Sequence, residues 1–172
     1  MTNKKIASYL ISILFIGGFA LLLATNWDKG QNGKANNTAY SAGVLSAESK
    51  NFNFGTISMK DGNVSHRFEV VNNGKETIQI LKAYTSCMCT TAFIKDASGN
   101  NYGPIGMPGH GGAPWADEVN ILPGETAIIE AIFDPAAHGP AGVGYAQRTI
   151  YLETNSSKSP RLDLSFTATV SN

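Results

Sequence analysis

Apolar residues are distributed along this chain in two unlike ways. Between Ile6 and Thr25 they run almost unbroken, and the segment IASYLISILFIGGFALLLAT carries no charge. From Phe52 onward they come in short bursts, several alternating with polar residues and separated by turn residues. A period of two sends alternate side chains to opposite faces of a strand. The bursts predict strands over Phe52–Ile57, Val64–Val71, Thr77–Tyr84, Thr90–Ile94, Val119–Leu122, Thr126–Phe133, Ala146–Glu153 and Leu162–Val170. Val64, His66, Phe68 and Val70 share one face of their strand. Ile78, Ile80 and Lys82 share another, opposite Thr77, Gln79, Leu81 and Ala83. Asn72-Asn73-Gly74-Lys75 reads as a turn, as does Pro123-Gly124, where proline suits the first central position and glycine the second. No later segment sustains an apolar period of 3.6. Short strands at this spacing predict an all-β, immunoglobulin-like antiparallel β-sandwich.

The unbroken run changes the picture from a lone domain to an exported one. A helix over 6–25 is long enough for the ~30 Å hydrocarbon core of a bilayer. Lys4 and Lys5 precede it and Trp27 follows. Positive flanks stay in the cytoplasm, which puts residues 1–5 inside and everything after the span outside. A cleavable signal peptide is the alternative, but its apolar core is usually ~7–15 residues and ends at a small-x-small site. The best such site here, after Ala24, has Leu22 two residues earlier. The expectation is therefore a single N-terminal transmembrane helix in the cell membrane with an extracytoplasmic C-terminal domain. Residues 26–50, rich in Asn, Gly, Ala and Ser, read as a flexible linker whose tail at Val44–Glu48 approaches the domain, and 51–172 as the domain itself.

Charge narrows the partners. Thirteen Lys and Arg balance thirteen Asp and Glu, so the positive excess that nucleic acid demands is missing. The expected partners are the membrane, through the anchor, and other envelope proteins. No GxSxG, Walker or dinucleotide motif occurs, and no enzyme is expected.

The informative chemistry is the cysteine pair. Cys87 and Cys89 are the only cysteines of the chain, and one residue separates them. Outside the cytoplasm two cysteines usually pair. In an extended segment their Cα atoms would stand ~6.5–7 Å apart, at the upper limit for a bridge. Two thiolates on one side of a strand end also form a soft clamp that selects Cu(I), then Zn(II), over hard cations. The bland reading is a pair of small residues packed at the end of the sandwich. Redox exchange is disfavoured on this reading, because a CxC lacks the helix N-terminus of thioredoxin-like sites. Other soft donors lie in two loops: Met107 and His110 in the Gly-rich insert 99–117, and His138 in the loop 134–144. If the topology brings these loops to one end, Cys87, Cys89, His110, His138 and Met107 form a mixed metal site that suits copper best. Met88 is a further soft donor, and Trp115 a candidate cover. His66, inside a strand, reads as packing. The alternative is a non-catalytic envelope scaffold that binds other proteins and holds no metal.

The runs FNFGTI, VSHRFEVVNNGKETIQILKAYTSCMCTTAFI, ILPGETAIIEAIFDP and RTIYLETNSSKSPRLDLSFTATV together resemble the bacterial DUF1573 family. The resemblance spans about Phe52 to Val170. Its most specific element is SCMCT at 86–90, with Met88 where the common family form SCGCT has glycine. It implies an exported immunoglobulin-like domain akin to major sperm protein and Hydin-like scaffolds. It implies no function, since the family's role is largely uncharacterised, and fold analogy assigns none.

Overall fold

In the computed structural model, residues 40–110 and 119–172 are described. The anchor predicted at 6–25, the first part of the linker and Trp115 lie outside them. Among the described residues no helix is long and apolar enough to cross a membrane.

The described chain forms ten strands, β1 (Leu45–Ala47), β2 (Asn51–Ser58), β3 (Val64–Asn72), β4 (Ile78–Thr85), β5 (Thr90–Lys95), β6 (Asn101–Ile105), β7 (Val119–Ile121), β8 (Thr126–Phe133), β9 (Gly144–Thr154) and β10 (Arg161–Ser171). They make two five-stranded sheets, in the orders β1-β3-β8-β5-β6 and β2-β10-β9-β4-β7. The inner faces supply Phe68, Val70 and Ile129 from the first sheet and Ile150, Leu164 and Phe166 from the second, all 0–1% exposed. Burial alternates along the pleat: β8 is buried at every second residue, and so is most of β10.

Four expectations are corrected. The sandwich is mixed rather than antiparallel, because β2 runs parallel to β10. Two strands were not legible. β1 has only three residues, too few to show a period. β6 contains Gly103 and Pro104, which read as turn residues, but as a sheet edge it tolerates a proline that lacks an N–H. The folded unit also reaches back into the segment read as linker. Ser41 bridges to Ser156, and Leu45 is buried at 3% exposure. Finally, a register irregularity between Ile80 and Lys82 in the β4–β9 pairing reverses the alternation of β4. Ala83 and Thr85 are buried and Lys82 is turned out to pair with Glu153.

Candidate functional site

β4 delivers the chain to a turn at Thr85–Thr90 that carries both cysteines. Thr85 Oγ1 lies within hydrogen-bond reach of Cys87 O (3.1 Å) and Thr90 O (3.0 Å), and Thr90 N donates to Cys87 O at 3.1 Å. This turn draws the Cα atoms of Cys87 and Cys89 to 5.3 Å, well inside bridging range, and the two sulfurs form a disulfide. The segment bends rather than running extended, so the one-residue spacing is no obstacle to the bridge.

Three further segments reach the same end of the sandwich. Thr90 pairs with Phe133, so β8 ends beside the start of β5. Ala92 pairs with Ile105, and Thr85 N donates to Gly106 O at 3.2 Å, so β6 ends there too. The middle of β9 runs beside the turn, where Ser86 N donates to Thr149 O at 2.9 Å. The loop after β8 is tied directly to the cysteine turn by Asp134 N donating to Cys89 O at 2.9 Å. Asp134 Oδ1 then accepts from Ala136 N at 2.8 Å, which caps the loop. His138 precedes the 3-10 turn Gly139–Gly142, and its Nε2 stands 3.2 Å from Cys87 Sγ.

The structure thus brings Cys87, Cys89 and His138 together, with one donor atom of each within 4.8 Å of the others. Cys89 is buried at 3% exposure, Cys87 is half-buried and His138 is exposed. His110 reaches the same end through β6 but stays outside this group. His110 N donates to Met107 O at 3.2 Å, so the two residues close a local turn of their own. His110 is exposed, Met107 is half-buried and Met88 points outward at 51% exposure.

One participant was missed by a search for soft ligands. Arg148 Nε donates to Cys89 Sγ at 2.9 Å, and its guanidinium carbon lies 5.8 Å from the centre of the Phe133 ring. Burial pulls the Arg148 guanidinium below its ordinary value, yet an arginine stays charged at neutral pH. The signal was present in the sequence. Ala146, Arg148, Ile150 and Leu152 share the inward parity of β9, and a charge on an apolar face requires a partner.

His66 sits elsewhere and does what a packing residue does. Its ring stacks on Phe52 at 3.6 Å and meets Phe68 edge-on at 4.6 Å. Burial lowers its pKa. The unfolded chain therefore binds the proton more tightly, so stability is fully present above the unfolded value of about 6.5 and declines as pH falls through the lower folded value. His66→Leu is expected to abolish that part of the pH dependence, with stability at pH 8 changed by no more than about 1.5 kcal/mol. Urea denaturation of both proteins at pH 8 and pH 5 reads it out, and an unchanged slope would refute it.

Comparison with known proteins agrees with the fold and leaves the activity open. A model of the DUF1573 family, described as a protein of unknown function, matches residues 45–100, which include both cysteines. No curated protein matches. The crystal structure of a protein of unknown function from Porphyromonas gingivalis W83 is similar over 78% of this chain and 51% of its own, at 18% identity and TM-score 0.55. This chain spans about half the length of that protein, and at such identity the likeness shows the fold alone. A PapD-like domain of human CEP192 is similar over 83% of this chain and 96% of its own, at 13% identity and TM-score 0.44, too distant to carry an argument.

Proposed function

We propose that this protein is an exported, membrane-tethered binding module of the immunoglobulin-like kind that holds a soft metal, copper(I) first and zinc second, on Cys87, Cys89 and His138. The grouping of one donor atom from each of these residues within 4.8 Å of the others carries the reading. In the dithiol state two thiolates and an imidazole match the preference of a soft cation. Zn–S bonds of ~2.3 Å and Zn–N bonds of ~2.0–2.1 Å need only a modest opening of the present 3.2 Å spacing between Cys87 Sγ and His138 Nε2. Two thiolates and one Cu(I) leave a net charge of −1, which the Arg148 guanidinium beside Cys89 Sγ offsets. The tether rests on the charge-free run Ile6–Thr25, and the extracytoplasmic side on Lys4 and Lys5 before it.

The disulfide makes a direct test possible without any substitution. Sulfurs bonded to each other are poor metal ligands, since the thiolate is the ligand form. Reduced protein is expected to take up about one Cu(I) in competition with a chromogenic chelator, and disulfide-bonded protein none. Failure of the reduced protein to compete would overturn the metal reading and leave the scaffold alternative.

A further inference from the structure

The two sulfurs of the pair are not equivalent. Cys89 is closed off at 3% exposure and its Sγ accepts from the Arg148 guanidinium at 2.9 Å. Cys87 is half-buried, and its Sγ accepts from Cys89 N at 3.4 Å with the exposed His138 ring at 3.2 Å. A disulfide is opened by a thiolate that strikes one sulfur and expels the other, so access decides which is struck and local charge decides which leaves well.

From this asymmetry we infer that the Cys87–Cys89 pair undergoes thiol–disulfide exchange with an external dithiol, with Cys87 as the attacked sulfur and Cys89 as the leaving one. A thiolate of the dithiol bonds to Cys87 Sγ. The Cys87–Cys89 bond breaks, and its electron pair departs on Cys89 Sγ beside the Arg148 cation. The second thiolate of the dithiol then attacks its own sulfur in the mixed disulfide, closes the reductant's disulfide and expels Cys87 Sγ. Two electrons pass from the dithiol to the pair. The two protons the dithiol gives up enter solvent, which returns them to the cysteine sulfurs. The oxidised partner is a disulfide and the product is the Cys87, Cys89 dithiol. No helix N-terminus is needed, because Arg148 supplies the positive charge from an inward strand position. The exchange uses the sulfurs of the proposed metal site but does not depend on metal.

The test uses the whole oxidised chain in chelator-treated buffer. Protein is exposed briefly to excess glutathione, free thiols are blocked with N-ethylmaleimide, and fragmentation of the peptide containing both cysteines locates each group. Glutathione is expected on Cys87 over Cys89 by about tenfold or more, the advantage a charge-assisted contact and open access jointly supply. Equal labelling, or preference for Cys89, would overturn the assignment. Arg148→Met is expected to slow reduction by dithiothreitol about tenfold, and Arg148→Lys, which keeps the charge, to recover most of the rate. A methionine variant as fast as wild type would remove Arg148 from the step. The labelling of wild-type protein decides the regiochemistry even if that variant does not fold. A failed copper titration leaves both readouts intact, so the two readings fall separately.

Discussion

Protein carrying Cys87→Ser and Cys89→Ser is expected to lose Cu(I) affinity by about a thousandfold or more, equivalent to about 4 kcal/mol. The serine hydroxyl is a neutral, hard donor that cannot replace a thiolate toward a soft cation. The single imidazole of His138 that remains is a weak site, and the other imidazole at this end, His110, stands outside the group. The same variant should remain folded. Its disulfide closes a loop of only three residues, for which the chain-entropy relation gives about 1.5 kcal/mol. Competition titration of the reduced wild type and the double variant measures the affinity, and thermal melts confirm that both are folded. A folded double variant that binds Cu(I) like wild type would place the metal elsewhere.

The second large effect concerns the frame that carries the site. Asn72 ends β3 with a fully buried side chain at 0% exposure. Its Nδ2 donates to Glu76 O at 2.8 Å and to Ile121 O at 2.9 Å, and its Oδ1 accepts from Gly74 N at 2.9 Å. Ile121 lies in β7 of the opposite sheet, so one amide stitches the two layers together. Asn72→Leu keeps the branched heavy-atom shape but removes all three bonds. Buried groups left unpaired cost ~1–3 kcal/mol each. The expected loss is about 4 kcal/mol, enough to lower Tm by roughly 15 °C in a domain of this size. Asn73→Ala is the control. That side chain donates to Ser46 Oγ at an exposed position, and its loss should cost about 1 kcal/mol or less. Chemical denaturation of the three proteins measures both values, and equal stability of Asn72→Leu and wild type would refute the stitching role.

The Asn72 case shows where reading the chain one residue at a time stops. Asn72-Asn73-Gly74-Lys75 has the composition of a turn, and the chain does leave β3 there. Nothing local indicates that the first asparagine turns into the core while the second stays out. The partner carbonyl at Ile121 is 49 positions away. Likewise, Lys82 belongs to the apolar face by strict alternation. The irregularity between Ile80 and Lys82 arises only when β9 lies alongside, and it sends Lys82 out and Ala83 in.

The amino-acid pattern by itself determined the all-β character, the extent of most strands and the inward face of β3 at Phe68 and Val70. It could do so because burial on one face of a pleated strand writes a period of two into any sequence that folds this way. It also singled out Cys87, Cys89 and His138 as soft donors by side-chain chemistry alone. Only the tertiary structure decided that His138 rather than His110 stands at the sulfurs, that Arg148 joins them, and that the chain turns there so that the cysteines bridge. Those outcomes depend on strand order and on the shape of one tight turn. They are set by contacts between residues as much as 59 positions apart, and local sequence carries little trace of such contacts.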